Sequence, residues 1–106
     1  MILIDIKISN NMADKKFQKF LIDYEVSYDN CEFIIQEILR HFDAKIIKNI
    51  YDNIETIYCD FLIKKSFKIC LHYHGMVGLV IIALTKESEQ TAKEVADFII
   101  SMIGGV

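Results

Sequence analysis

Apolar residues recur at three- and four-residue steps in the stretch that follows Asp29. This spacing places them on one face of a helix. Asp29, with Glu32 three residues later, has the form of a capping box, in which two side chains satisfy free N–H groups at a helix start. The pattern predicts a helix over residues 30–42. Its expected buried face consists of Cys31, Ile34, Ile35, Ile38 and Phe42.

A second helical pattern lies near the end of the chain. Either Thr85 or Ser88 can cap this helix, and the carboxylates of Glu87 and Glu89 suit the positive end of its dipole. Gly104–Gly105 is expected to end it, because glycine is favoured just past a helix terminus. Its expected buried face consists of Ala92, Val95, Ala96, Ile99 and Ile103.

The stretch between the two helices is rich in Ile, Tyr, Phe and Val, with turn-forming residues at short intervals. Apolar side chains alternate with more polar ones from Ile57 to Ile63 and again from Phe67 to His74, as in strands with one buried face. The pattern predicts an antiparallel meander of four strands, at about 45–51, 55–64, 67–74 and 77–85.

The hairpins of this meander differ in how well the sequence defines them. A three-residue loop at 64–66 pairs Ile63 with Phe67 and makes the apolar faces of both strands coincide. The hairpin at Asp52–Asn53 fits no simple register, which indicates a bulge in one of its strands.

The segment His74-Gly75-Met76-Val77 has the form of a two-residue type II′ turn with the positive φ at Gly75. This turn would pair His74 with Val77, His72 with Leu79, and Leu71 with Val80.

The N-terminal third is less regular. Alternation from Ile2 to Ile8 predicts a strand, whereas residues 12–26 fit either a helix or a strand. The strand is favoured because β-branched and aromatic residues dominate the second half of that segment. The predicted fold is a single α+β domain over residues 1–106. It has two layers, with an antiparallel meander sheet of four or more strands, a helix before and a helix after it, and an N-terminal strand or hairpin.

The last strand of the meander is apolar on both faces, so each face needs a cover. Either the helices and the N-terminal segment divide between the two faces, or one face meets another chain. That second face is expected to carry Leu62, Cys70, His72, Leu79 and Ile81.

Composition narrows the class of protein. The chain has 106 residues, 53% of them hydrophobic, which excludes disorder, and its net charge of −3 argues against nucleic-acid binding. Three cysteines favour reduced, buried thiols in a cytoplasm over a disulfide framework or a zinc site. No basic leader is seen, and no apolar run approaches the roughly 20 residues of a membrane span.

Two clusters have the residue types of reactive sites. His72 and His74 share one strand face, where a metal could bind, although hydrogen bonding to Tyr58 or Asp60 is the simpler interpretation. Cys70, His72 and Asp60 resemble a thiol, base and orienting carboxylate, but no oxyanion site accompanies them. We therefore expect no catalytic, cofactor or metal site, and no enzyme activity.

The strongest charge pattern is an acidic segment without Lys or Arg between Asp23 and Glu37. A clustered negative surface can steer a cationic partner, although a solvated helix face is the alternative. The candidate partner-binding residues are Asp23, Glu25, Asp29, Glu32 and Glu37.

The helix Asp29–Phe42, the meander through Glu55–Phe61 and the closing helix resemble, in layout, the small α+β immunity proteins of bacterial contact-dependent growth inhibition. The resemblance implies a cytoplasmic inhibitor that binds the C-terminal toxin domain of a delivered effector, commonly a nuclease, and occludes its active site or substrate surface. A basic toxin domain would be the partner, with neither nucleic acid nor membrane bound.

The alternative from another class is a small acidic secretion chaperone of the type III class. Such a chaperone dimerises through apolar strands and holds a partly unfolded effector. A monomer favours the inhibitor, and a stable dimer favours the chaperone.

Overall fold

A computed structural model describes residues 2–3, 18–22, 26–52 and 55–104. Helix α1 spans Tyr28–His41, and helix α2 spans Glu89–Ile103 after a 3₁₀ turn at Lys86–Ser88. The strands are β1 (Ile2–Leu3), β2 (Lys19–Leu21), β3 (Ala44–Asp52), β4 (Thr56–Ile63), β5 (Phe67–His74) and β6 (Gly78–Ala83). The predicted α+β fold, with one helix before the meander and one after it, is confirmed.

The described strands form one antiparallel sheet in the order β1-β2-β6-β5-β4-β3. The strand interpretation of residues 12–26 is confirmed for Lys19–Leu21, which pairs with β6. Of the predicted strand from Ile2 to Ile8, Ile2–Leu3 is a strand and the remainder lies outside the described residues. In the strand order given above, β3 is the last of the described strands and forms one edge of the sheet.

Helix α1 begins two residues earlier than predicted, and the capping box is wrong. Ser27 is the N-cap, and its Oγ accepts a hydrogen bond from the Asn30 N–H at 3.3 Å. Asp29 instead lies in the first turn, where its charge complements the helix dipole. Of the predicted apolar face, Cys31, Ile34, Ile35 and Ile38 are buried, whereas Phe42 follows the helix as its C-cap and is half-buried.

The two candidate caps near the second helix take N-cap positions, Thr85 before the 3₁₀ turn and Ser88 before α2, but neither side chain makes a capping hydrogen bond. The buried Ser88 Oγ lies 2.6 Å from the Thr85 hydroxyl and accepts the Lys68 N–H at 2.8 Å, so it ties the helix start to β5. Gly104 ends α2 as predicted, and Gly105 lies outside the described residues.

The hairpin between β4 and β5 has the predicted register, with Ile63 paired with Phe67. Its turn is closed by a hydrogen bond from the Ser66 N–H to the Ile63 carbonyl at 3.1 Å. Lys64 and Lys65 take φ values of 54° and 62°, in the left-handed region that side chains with a Cβ disfavour.

The predicted type II′ turn between β5 and β6 is wrong by one residue. His74 pairs with Gly78, the Val77 N–H bonds to the His74 carbonyl at 3.0 Å, and the positive φ of 102° belongs to Gly78. Two glycines flank the turn, and the second supplies the conformation assigned to the first. His72 therefore pairs with Val80 rather than with Leu79.

This one-residue shift moves every β6 side chain to the other face. Leu79 and Ile81 lie on the face that packs against the helices, not beside His72 as predicted. Cys70 and His72 instead share their face with Val80 and Ile82.

The expected irregularity before Asp52–Asn53 is a β-bulge. The pairing passes from Ile46 with Phe61 directly to Lys48 with Asp60, which leaves Ile47 as the extra residue. A bulge changes which later side chains of β3 face the helices.

The core has two parts, one on each face of the sheet. The larger part joins side chains of α1 and α2, such as Ile99, to side chains of β4, β5 and β6, such as Phe61 and Leu71. Cys70, Val80 and Ile82 form the smaller part on the opposite face, and all three are fully buried within the chain. Both described helices therefore pack on one face of the sheet. The residues of the smaller part, on the other face, are buried as well.

Candidate functional site

The acidic candidates separate into three groups. Asp29 and Glu32 are exposed on the first turns of α1. Glu37 lies eight residues after Asp29, about 12 Å further along the helix axis, and its carboxylate forms an ion pair with Arg40 at 2.7 Å. The hydrogen bond from Arg40 lowers the pKa of Glu37. Asp23 and Glu25 lie outside the described residues.

Asp29 and Glu32 line a groove with a volume of about 370 Å³. The other lining residues are Tyr28, Tyr51 and Ile57, so two carboxylates and two phenol rings meet in one concave surface. The rings of Tyr28 and Tyr51 have centroids 6.4 Å apart and are tilted by 57°. We call this set of five residues the acidic–aromatic groove.

Three elements position the groove. The Ser27 cap fixes the start of α1 and with it Tyr28, whose ring also packs edge-on against Tyr73 at 6.3 Å. Tyr51 pairs with Ile57 across β3 and β4. The bulge at Ile47 sets this register, because without the extra residue Tyr51 would lie on the opposite face of the sheet.

Exposed aromatic side chains lie in and beside the groove. Phe33 is 57% exposed and lies one helical turn after Asp29, on the same side of α1. On β3, the edge strand, Tyr51 is 48% exposed, whereas the exposed Ile50 pairs with Tyr58 and lies on the other face of the sheet. Exposed aromatic residues beside carboxylates are typical of protein-binding surfaces.

His72 does not have the surroundings of a metal ligand or a catalytic base. Its ring stacks on Tyr58 with centroids 4.3 Å apart, and neither ring nitrogen has a hydrogen-bond partner among the described residues. Burial, with a smaller contribution from the charge of His74, lowers the pKa of His72 to about 4. The predicted hydrogen bond to Tyr58 or Asp60 is therefore replaced by stacking. His74 accepts the Met76 N–H at its Nδ1, at 3.0 Å.

The three cysteines are free and buried thiols, as expected. Burial raises the pKa values of Cys31 and Cys59 to about 12. Burial and a hydrogen bond with the Asp60 carboxylate raise the pKa of Cys70 well above its usual value. At neutral pH Cys70 is therefore a protonated thiol rather than a thiolate nucleophile.

Four residues of this surface escaped the sequence analysis: Tyr28, Phe33, Tyr51 and Ile57. Phe33 is the one with a signal in the sequence, because it is an aromatic residue off the predicted buried face of α1. Tyr51 depends on the position of the bulge, which no local pattern revealed.

The described ranges 2–3, 18–22, 26–52 and 55–104 contain no group of three or more His, Cys, Asp or Glu side chains arranged to hold a metal ion. In the same part of the chain, no helix combines the length and apolar character that crossing a bilayer requires. Comparison of the chain with protein-family models, with curated proteins and with solved structures gives no match.

Proposed function

We propose that this protein is an immunity protein that acts in the cytoplasm by binding the toxin domain of a contact-dependent growth inhibition effector. The observation that carries the proposal is the acidic–aromatic groove. It brings Asp29 and Glu32, two residues of the acidic segment, together with two tyrosine rings on an exposed surface. The protein occludes the active site or substrate surface of its partner and performs no chemistry.

The charge of the groove fits a nuclease toxin. A surface that holds nucleic acid is rich in Lys and Arg, because it must neutralise phosphates. The carboxylates of Asp29 and Glu32 can take the places of those phosphates and exclude the substrate. Complementary charge also speeds the encounter of the two proteins.

The surroundings of the groove supply apolar contact area. A stable interface buries about 800 Å² on each partner, more than a groove of this size offers. Phe33 on α1 extends the surface along the helix, and the exposed ring of Tyr51 extends it to the edge strand β3. Aromatic side chains such as Phe33 and Tyr51 are the kind that dominate binding energy at interfaces.

The secretion chaperone is the weaker candidate because it requires an apolar sheet face for dimerisation. The apolar residues of the second face, Cys70, Val80 and Ile82, are already buried within one chain. Lys48 lies between the exposed Ile47 and Ile50 of β3, Lys45 is exposed on the same strand, and β3 carries a bulge, which are features that oppose edge-to-edge pairing of two copies.

The test is to express the chain together with the adjacent genes of its own operon and to purify it by a tag. We expect a one-to-one complex with a basic polypeptide, and we expect that polypeptide to be toxic unless the chain is present. A stable homodimer of the chain that carries a partly unfolded effector would instead establish the chaperone. Turnover of a metabolite that is lost in Cys70→Ala or His72→Ala would establish an enzyme.

A further inference from the structure

The acidic–aromatic groove combines two kinds of wall. Asp29 and Glu32 are three residues apart on α1, so their side chains are neighbours on the helix surface. Tyr28 and Tyr51 supply aromatic rings, with Ile57 at the sheet side of the groove. The nearest other carboxylate on α1, Glu37, is paired with Arg40 and does not line the groove.

These walls favour one chemical class of ligand. An anion would be repelled by the two carboxylates, and an apolar group would remove their hydration without compensation. A cation gains from both carboxylates and from the faces of the tyrosine rings. Among the cationic side chains, the planar guanidinium of Arg can donate two parallel hydrogen bonds to a carboxylate while it stacks on an aromatic ring, whereas the Lys ammonium cannot stack in this way.

We propose that the groove binds an arginine side chain of the partner protein. The inference rests on the proposed function for the source of that arginine. The exposed Phe33, one helical turn after Asp29 on the same side of α1, points to a protein rather than to a free amino acid, because only a large partner covers it as well. The arginine packs against the tyrosine rings with its guanidinium at Asp29 and Glu32.

The groove can be tested on the isolated chain with N-acetyl-arginine amide as the probe. Two-dimensional ¹H–¹⁵N NMR should show saturable shift changes confined to the amides of the groove residues. N-acetyl-citrulline amide has nearly the same shape without the charge and should give no saturable change. An equal response to both probes would overturn the proposal.

Matched variants distinguish binding of the arginine probe in the groove from a general attraction of the probe to acidic residues. Asp29→Asn with Glu32→Gln should weaken binding of the arginine probe at least about ten-fold, because it removes charge-assisted hydrogen bonds. Glu37→Gln removes a carboxylate of the same helix outside the groove and should leave the probe affinity unchanged. Melting curves of each variant show whether the fold is retained. Unchanged affinity in a folded Asp29→Asn, Glu32→Gln variant contradicts the proposal.

The complex recovered from the operon distinguishes the two proposals. If the arginine comes from the partner, Tyr51→Ala and Asp29→Asn should each speed dissociation about ten-fold, and Glu94→Gln, at an exposed position of α2, should not. A tight neutralising complex that is indifferent to both groove variants keeps the immunity function and rejects the arginine site. Absence of any toxin partner rejects the immunity function, while the probe titration still reports on the groove.

Discussion

His72 lies on the second face of the sheet with 1% of its surface exposed, and both of its ring nitrogens lack hydrogen-bond partners within the part of the chain that the structure describes. Burial without a partner disfavours the charged imidazolium, so the pKa of His72 falls to about 4 from its usual 6.5. As pH falls, the unfolded chain takes up this proton first, so stability is lost from about pH 6.5 down to about pH 4.

We expect the free energy of unfolding to drop by about 2 kcal/mol between pH 7.5 and pH 5 because of this one group. Replacement His72→Phe keeps a ring against Tyr58 and removes the titration. Urea unfolding at the two pH values should therefore show a smaller drop for His72→Phe than for the natural chain. His41→Gln, which changes an exposed imidazole on α1, is the control and should retain the full drop. Equal pH dependence in the His72→Phe variant contradicts the prediction.

The same residue shows why the site was predicted only in part. Cys70, His72 and Asp60 were placed together correctly, since alternation and the Ile63–Phe67 register define that face. Whether such a group reacts or packs depends on burial and on hydrogen-bond partners. Those come from the whole tertiary structure, which periodicity does not reveal.

At the scale of elements, the two hairpins that join β4, β5 and β6 show which registers a sequence can define. The 64–66 loop was predicted because another loop length would have placed Lys68 beside Ile63, facing the core. The 75–77 loop was not, because β6 is apolar on both faces and either register satisfies the pattern. Only the contact of Leu79 and Ile81 with the helix layer selects the observed one.

The backbone of the 64–66 turn is strained, and the effect of that strain on stability can be measured. Lys64 and Lys65 have positive φ angles, which asparagine and glycine adopt with less strain than lysine. We expect the double change Lys64→Asn, Lys65→Gly to raise the free energy of unfolding by about 1 kcal/mol, measured by urea titration.

The control for the turn is Lys68→Gly, which replaces one exposed lysine by glycine within β5 instead of in the turn. Glycine weakens an extended strand, so this variant should lose about 0.5 to 1 kcal/mol. If the turn variant is also destabilised, the lysine side chains must make contacts that outweigh the backbone strain.

At the scale of the molecule, charge is divided between the two ends of the sheet. Asp29 and Glu32 lie near the start of β4, beside Ile57. Lys64 and Lys65 form the turn at its other end, and pairing brings Lys45 and Lys68 to either side of Leu62 there. The eight residues of β4 separate these ends by about 23 Å. The acidic segment is visible in the sequence, but its separation from these lysines follows from the strand pairing.

This division predicts that association with the basic partner that we propose responds to local charge rather than to net charge. Exposed charges further apart than about 8 Å are largely screened at physiological salt, so the lysine end contributes little at the groove. Asp29→Lys with Glu32→Lys should slow association at least about ten-fold and flatten its dependence on salt. Lys64→Glu with Lys65→Glu changes the net charge by the same amount in the opposite direction and should alter the rate less than about two-fold. Stopped-flow measurements with the purified partner at several salt concentrations compare the two variants. If reversal at the lysine end accelerates association as much as reversal at the groove slows it, the total charge of the chain, and not the acidic–aromatic groove, governs the encounter.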